Sequence, residues 1–181
     1  MDRLHSSDDI LTKLNILDHI CQTRGIVAEL AILGGSGILL YMENIGQSFR
    51  PTQDIDVNLI NTNDIQKLTE ALSEAGIDLI GGISEVPPLE DYTNIDFLYE
   101  INAEFDNLRI FVPDIELLAC FKIFSSREKD LIDLKETDIL KQCNKEKLIG
   151  LVDEYKQYIL KLDNPDLNLH QLFHILKEKG I

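Results

Sequence analysis

The sequence contains no tryptophan, and it has few of the residues that mark several special classes of protein. Five prolines and ten glycines in 181 residues are too few for a disordered or fibrous chain. The three cysteines, Cys21, Cys120 and Cys143, are far apart and form no C-x-x-C pair, so we predict neither a disulfide framework nor a thiolate metal site. These absences leave an ordinary globular protein, for which 44 % hydrophobic residues supply a core.

Long apolar runs and positive charge are also scarce. No apolar run approaches the ~18 residues of a membrane span, and the first ten residues, MDRLHSSDDI, lack the apolar core of a signal peptide. We therefore expect a cytoplasmic protein with no membrane partner. The 17 basic and 32 acidic residues give a net charge of −15. Such a surface repels phosphate backbones, so extended nucleic acid is not an expected partner, and a bound nucleotide would need counterions.

The spacing of the apolar residues predicts a mixture of helices and strands, which indicates an α+β (mixed α/β) fold. The first helix is predicted to begin at Ser6 and to end at Gly25. The predicted strands are 28–33, 54–60, 77–83, 95–101 and 108–112, with helices after residue 34, over 61–76 and from 114 onward. We predict a core domain over residues 1–134 and a C-terminal helical segment over 135–181 that packs on it.

Two aspartates, Asp54 and Asp56, alternate with apolar residues in the stretch DIDVNLI. In a strand, residues i and i+2 share a face, so both carboxylates face away from Ile55 and Val57, with their Cα atoms roughly 7 Å apart. Like charges this close repel each other, and a divalent cation between them removes the repulsion. Mg²⁺, or Mn²⁺ in its place, prefers such oxygen ligands. The alternative is a plain edge strand with a solvated acidic face.

A third carboxylate from a neighbouring strand would allow two metal ions, about 3.5–4 Å apart, for phosphoryl or nucleotidyl transfer. Asp96, in NIDFLYE, is our candidate because an apolar residue stands on each side of it. Glu100 lies further along the same predicted face and is the reserve candidate.

The turn Gly34-Gly35-Ser36-Gly37 lies between a predicted strand and a predicted helix. Glycine allows close approach of the backbone to a ligand, and the following helix presents free N–H groups and a partial positive charge at its N-terminus. The turn therefore suits a phosphate, with the Ser36 hydroxyl adding a hydrogen bond. The G-x-x-x-x-G-K-[ST] pattern of a P-loop is absent. The alternative is a tight strand–helix corner that needs small residues.

With LGGS, DIDV and IDF in this order, the chain resembles the nucleotidyltransferase superfamily of the DNA polymerase β type. The pattern of that superfamily is h-G-[GS], then [DE]-h-[DE]-h, then h-[DE]-h, where h is apolar. The segment RPTQDIDV is similar to the R-x-T-x-D-I-D-V of small prokaryotic members, including relatives of abortive-infection toxins. The later stretch LRIFVPDIELLACFKIFSSREKDLIDL also resembles those proteins, so the likeness covers residues 28–134.

The resemblance implies a core with a mixed β-sheet flanked by helices, and it implies a role for several residues. Asp54 and Asp56 would ligate Mg²⁺, and Asp96 would act as general base and ligate a second metal. The residues that would bind the nucleotide are Gly34, Gly35 and Ser36 at the β- and γ-phosphates, with Lys122 and Arg50 as cations for the triphosphate. From helix spacing alone, Asp130 and Asp133 could pair with Arg127 or Lys129 in a structural cluster.

Three hypotheses about function follow. The first is an enzyme that moves a nucleotide from an NTP such as ATP to a hydroxyl acceptor and releases pyrophosphate; a toxin–antitoxin role with a protein partner is one version by analogy. The second is a catalytically inactive module of the same fold that binds a nucleotide or a partner protein. The third is a structural domain in which the motif is a coincidence.

Overall fold

The computed structural model of the chain describes residues 3–80, 86–88 and 90–181, and it has the predicted α+β fold. Five strands form one mixed sheet, and eight α-helices lie in these described parts of the chain. In chain order the elements are α1 (Ser7–Arg24), β1 (Ala28–Leu33), α2 (Gly34–Asn44), β2 (Asp56–Thr62), α3 (Ile65–Ala75), β3 (Asp78–Leu79), β4 (Leu98–Glu100), β5 (Leu108–Pro113), α4 (Ile115–Ile123), α5 (Glu128–Glu136), α6 (Ile139–Gln142), α7 (Lys145–Tyr155) and α8 (Leu172–Glu178).

The strand order in the sheet is β3-β2-β1-β5-β4, with β1 at the centre. β1 pairs antiparallel with β2 and parallel with β5, while β3 is parallel to β2 and β4 is antiparallel to β5. The register places Leu33 opposite Asp56 and Ala31 opposite Asn58. The run Leu30–Leu33 is at most 1 % exposed, as expected for the apolar part of a central strand.

Local capping signals fix the first helices. The Ser6 side chain accepts a hydrogen bond from the Asp9 amide, and the Asp9 carboxylate accepts one from the Ser6 amide, so the predicted start of α1 is confirmed. Gly25 ends α1 in the left-handed conformation, with φ 67°. α3, predicted over 61–76, likewise ends at Gly76, but it begins only after its N-cap residue Asp64.

Three predicted strands differ from the observed ones. The strand predicted over 54–60 begins at Asp56 and continues to Thr62. The strand predicted over 77–83 is β3, which covers Asp78–Leu79; its last three predicted residues lie outside the described residues, as does part of the loop predicted over 84–94. The strand predicted over 95–101 begins as a 3₁₀ turn at Ile95–Phe97 and is extended at Leu98–Glu100.

The chain divides into two compact units. The first holds the described residues up to 80 together with Tyr92–Pro113, and it contains the whole sheet with α1, α2 and α3. The second holds Asp114–Ile181 together with the described residues between 86 and 91, and it is helical. The division predicted from the sequence came after residue 134 instead, so α4 and α5 are the elements whose assignment differs.

The cysteines are free thiols; Cys21 and Cys120 are buried and Cys143 is partly buried. Burial raises the pKa of the Cys21 thiol to about 11, so this thiol remains protonated and unreactive near neutral pH. No helix in the described part of the chain has both the length and the apolar character needed to cross a membrane.

Candidate functional site

The N-terminus of α2 begins directly at the end of β1, with no linking residue between them. Gly34 makes the turn with φ 59°, a left-handed conformation that favours glycine. The N-cap of this 11-residue helix is Leu33, which makes no side-chain capping bond, and no acidic residue stands in the first turn. The first amide N–H groups therefore carry the positive end of the helix dipole without an anionic cap from the helix itself.

Asp56 lies against this turn. The antiparallel register sets Asp56 opposite Leu33, and a Cβ atom built on Gly34 would lie 3.0 Å from the Asp56 Oδ2 atom. Gly34 is therefore required for two reasons, its backbone conformation and the space that the carboxylate occupies. Gly35 is similar, since a Cβ there would lie 2.9 Å from the Thr52 hydroxyl. We call Gly34, Gly35, Ser36, Asp54 and Asp56 the glycine corner.

Ser36 ties the helix to the aspartate segment. Its hydroxyl donates a hydrogen bond of 2.5 Å to the main-chain carbonyl of Asp54, and the residue is 1 % exposed. The Thr52 hydroxyl also reaches that carbonyl, at 3.4 Å. A hydroxyl has one proton to donate, so the expected hydrogen bond from the Ser36 hydroxyl to a phosphate is not available while this bond is made. Ser36 instead positions Asp54.

The residues of the aspartate segment alternate in burial as the prediction requires, but Asp54 precedes β2, so the shared face of its carboxylate with that of Asp56 stays a prediction. Ile55 and Val57 are fully buried, whereas Asp54 is exposed and Asp56 is partly exposed. This alternation follows from extended backbone, in which neighbouring side chains point to opposite faces. The corner therefore combines oxygen ligands for a cation with backbone donors for an anion.

A comparison with protein families identifies the group to which the chain belongs. A family model described as "Nucleotidyltransferase of unknown function (DUF6036)" matches residues 11–176, which is most of the chain. The chain belongs to this family. No curated protein and no solved structure matches it. The predicted membership of the nucleotidyltransferase superfamily is confirmed by the family description.

Asp96 lies in a 3₁₀ turn and not on a strand, so the strand predicted at this position is wrong, while the role of Asp96 as a third ligand stays a prediction. Asp96 is exposed in a 3₁₀ turn, where its amide donates to the Asn94 side chain. β1 and β5 separate β2 from β4, which corresponds to roughly 14 Å across the sheet at about 4.8 Å per strand. Among the residues that the structure describes, no three His, Cys, Asp or Glu side chains form a group that could hold a metal ion.

The reserve candidate, Glu100, has a partner of a different kind. Its carboxylate receives two hydrogen bonds from the Arg109 guanidinium, of 3.0 and 2.9 Å, and Arg109 also binds Glu29 at 2.6 Å. The hydrogen bonds from Arg109 lower the pKa of Glu100. This carboxylate is therefore engaged in a surface ion-pair network.

Arg50 lies in the segment that precedes Asp54. Its guanidinium donates to the adjacent Pro51 carbonyl at 3.2 Å and lies 5.2 Å from the centre of the Phe49 ring. Two backbone hydrogen bonds between Thr52 and Leu4, of 2.8 and 3.0 Å, hold this segment in place. The assignment of Arg50 to the triphosphate stays a prediction.

Lys122, in the second unit, binds two carboxylates. Its ammonium lies 2.9 Å from Asp130 and 2.6 Å from Asp133, and all three side chains are 1–3 % exposed. We call these three residues the lysine cluster. Arg127 also binds Asp130, at 2.7 Å, so that predicted pair is confirmed. Burial alone would raise the pKa of Asp130, but the charges and hydrogen bonds of Lys122 and the charge of Arg127 outweigh it and lower that pKa. The role of Lys122 at a triphosphate stays a prediction.

Two residues near the glycine corner were not singled out from the sequence. Thr52 contacts the glycine corner as described above. It is the threonine of the R-x-T-x-D pattern in which the chain resembles small prokaryotic nucleotidyltransferases. Asn58 follows Asp56 on the same face of β2 and is 7 % exposed, yet its side-chain nitrogen has no hydrogen-bond partner among the described residues. No sequence pattern distinguishes a buried asparagine from an exposed one at such a position.

Proposed function

We propose that this protein is a metal-dependent nucleotidyltransferase that transfers a nucleotide from an NTP, such as ATP, to a hydroxyl acceptor and releases pyrophosphate. The observation that carries the proposal is the 3.0 Å approach between the Asp56 carboxylate and the position that a side chain on Gly34 would occupy. It brings together a cation ligand and the N-terminus of α2, where the N-cap residue Leu33 makes no side-chain capping bond, and a metal-bound triphosphate needs both a cation and amide donors.

The glycine corner fits a divalent cation by its chemistry. Asp54 and Asp56 supply two carboxylates two positions apart in the chain, and the absence of a side chain at Gly34 leaves room for the Asp56 oxygen. We propose that these two residues hold Mg²⁺, or Mn²⁺ in its place. When bound, the ion supplies positive charge to the phosphate oxygens of the nucleotide and so favours departure of pyrophosphate.

The first turn of α2 would bind the phosphates. The amide N–H groups at Gly34, Gly35 and Ser36 would donate to the β- and γ-phosphates, with the helix dipole favouring their negative charge. The hydrogen bond from the Ser36 hydroxyl to the Asp54 main-chain carbonyl would position Asp54 relative to this turn. The acceptor oxygen forms a bond to the α-phosphorus, and the bond to pyrophosphate breaks. The hydroxyl proton leaves to solvent, directly or through a carboxylate of the pair.

An inactive nucleotide-binding module is the second candidate. A specific observation favours it, because the described residues include no group of three metal-ligating side chains. Such a module would bind a metal and an NTP at the glycine corner without transferring the nucleotide. The toxin–antitoxin role, the protein partner and the cytoplasmic location rest on the resemblance and on composition, and the geometry of the corner does not bear on them.

Binding and turnover can be separated in one experiment. The thermal midpoint and the free energy of unfolding are measured with each of the four NTPs, with and without Mg²⁺. A ligand at about 100 times its dissociation constant stabilises a protein by about 2.7 kcal/mol. A metal-dependent shift together with pyrophosphate release supports the enzyme, and a shift without release supports the module. No shift with any NTP would leave a structural domain.

The variant Asp54→Asn tests the metal assignment. We expect it to abolish metal-dependent nucleotide binding while the fold remains, or even gains stability because a like-charge repulsion is lost. Glu70→Gln, an exposed residue on α3, removes the same charge elsewhere in the first unit and should leave binding unchanged. Binding by Asp54→Asn as tight as by the parent would show that the metal assignment is wrong.

A further inference from the structure

The second compact unit contains a cavity of about 480 Å³ that shares no residue with the glycine corner. This volume lies within the roughly 300–1,000 Å³ range of small-molecule sites. The lining includes residues from α4, from the turn after it and from the segment that follows α7: Phe121, Phe124, Ser125, Arg127, Lys161 and Asn164. The cavity therefore has the size of a small-ligand site and a mixed lining.

Aromatic and aliphatic side chains form one part of the lining. Phe121 is on α4 and Phe124 is its C-cap residue, three positions later, and both are only partly buried. Leu160 also lines the cavity and is 81 % exposed. An apolar ligand would remove these surfaces from water, which is favourable at about 25 cal/mol per Å².

Positive charge forms the other part. The lining includes Arg127 and Lys161, and its described members include no aspartate or glutamate. In a chain with 32 acidic and 17 basic residues, this composition runs against the general surface charge. The described lining of the cavity therefore carries basic side chains without acidic ones, in contrast to the chain as a whole.

The Arg127 side chain contacts both an acidic residue and an aromatic ring. Its Nε binds Asp130 at 2.7 Å, and its guanidinium carbon lies 5.7 Å from the centre of the Phe121 ring. The side chain is nevertheless 65 % exposed. The ion pair uses one of the five N–H donors of the guanidinium, so the two terminal nitrogens can donate to an anionic group.

We propose that this cavity binds a small molecule in which a planar aromatic ring carries a negatively charged group. The ring would pack on Phe121 and Phe124, and the anionic group would bind Arg127 and Lys161, with Ser125 and Asn164 as further polar contacts. The proposal is independent of nucleotidyl transfer, so either can fail without the other.

The test compares two fluorescent probes with the same rings on the full chain. 8-Anilinonaphthalene-1-sulfonate carries a sulfonate, and N-phenyl-1-naphthylamine is its uncharged counterpart. We expect saturable binding of one sulfonate probe per chain, at least about tenfold tighter than the uncharged probe. Equal affinities, or binding without saturation, would overturn the proposal, because the charge would then have no part in recognition.

Two variants locate the site. Lys161→Glu should weaken the sulfonate probe at least about tenfold and change the uncharged probe less than about twofold. Lys177→Glu makes the same charge change at an exposed position on α8 outside the lining and should change neither affinity more than about twofold. Equal loss in both variants would show a general charge effect and would overturn the assignment.

A third variant tests the apolar part. Leu160→Ala should weaken both probes, and its 81 % exposure means that folding does not depend on it. Partly unfolded proteins also bind the sulfonate probe. The affinity of a variant is therefore compared with that of the parent only where the two have the same thermal midpoint. Unchanged affinity for both probes in Leu160→Ala, at that midpoint, would place the binding elsewhere and contradict the proposal.

Discussion

The glycine corner and the lysine cluster both contain charged side chains, but they differ in how exposed those charges are and in how they are paired. In the lysine cluster, one ammonium lies within 2.9 Å of two carboxylates, and all three side chains are nearly inaccessible to water. In the glycine corner, two carboxylates of the same sign are two positions apart in the chain, and that of Asp56 lies against the N-terminal turn of α2.

The difference separates a structural role from a binding role. A buried charge that is matched by its neighbours is costly to leave unpaired, so a ligand would have to displace a carboxylate partner in order to bind Lys122. Like charges grouped at an accessible position repel each other and so lower the free energy of unfolding. A bound cation would raise that free energy again. The presence of charged residues therefore does not by itself identify a binding site. What identifies one is whether opposite charges surround those residues in the fold.

The largest expected effect comes from removing the central charge of the lysine cluster. Lys122→Met leaves Asp130 and Asp133 buried, with the ammonium lost, and should lower the free energy of unfolding by about 3–5 kcal/mol in urea titrations. Lys141→Met breaks an exposed pair with Asp138, and it should cost no more than about 1 kcal/mol. A loss below 1 kcal/mol in Lys122→Met would mean that the cluster does not stabilise the fold, and the distinction from the glycine corner would disappear.

A smaller loss of stability, with a full loss of binding, is expected for Gly34→Ala. The left-handed conformation should cost about 1–2 kcal/mol, and the new methyl group would displace the Asp56 carboxylate. Gly46→Ala is a matched control, since Gly46 has φ 74° and nothing within 4 Å of its Cβ position. Both variants should lose similar stability in urea, but only Gly34→Ala should lose Mg²⁺-dependent NTP binding. Intact binding in Gly34→Ala would argue against the corner as the site.

Ser36→Ala should have a more modest effect. It removes the donor to the Asp54 carbonyl, and we expect a loss of about 1 kcal/mol in the free energy of unfolding with weakened NTP affinity. Thr69→Ala removes an exposed side-chain-to-backbone hydrogen bond on α3 and serves as the comparison. If Ser36→Ala binds NTP as the parent does, Ser36 does not position Asp54 for the ligand.

The smallest expected effect is a dependence on acid that Asp130 contributes. Its pKa is lowered below the ordinary 3.8 in the folded state, so its stabilising contribution is present above that value and is lost as pH falls through the lowered pKa. The free energy of unfolding should therefore fall as the pH is lowered from about 5 to about 2, and less steeply in Asp130→Asn than in the parent. Asp166→Asn, which is exposed in the same unit, controls for the loss of one charge. Identical slopes in Asp130→Asn and the parent would contradict this contribution.

Much of the fold could be predicted because its signals are local. The capping box of Ser6 and Asp9 and the left-handed Gly25 need only neighbouring residues, and both were found where the sequence placed them. The two aspartates were assigned to one face from alternation alone; the burial of Ile55 and Val57 agrees with that pattern, and the shared face of the carboxylates stays a prediction.

The remaining features depend on contacts that the sequence does not show. Asp96 has apolar neighbours as a strand residue would, but the Asn94 side chain accepts its amide hydrogen and turns the chain instead. Asp133 was assigned a partner from its own helix spacing, whereas its partner Lys122 comes from α4. The hydroxyl of Ser36 was assigned to a ligand because a sequence cannot reveal a backbone carbonyl from another element.

All the contacts that define the glycine corner join residues from one continuous part of the chain, and the hydrogen bond from Ser36 to Asp54 spans 18 positions. Closing a loop of this length costs little chain entropy compared with joining distant segments. β1, α2 and β2 can therefore assemble the corner during synthesis, before the C-terminal helices have left the ribosome.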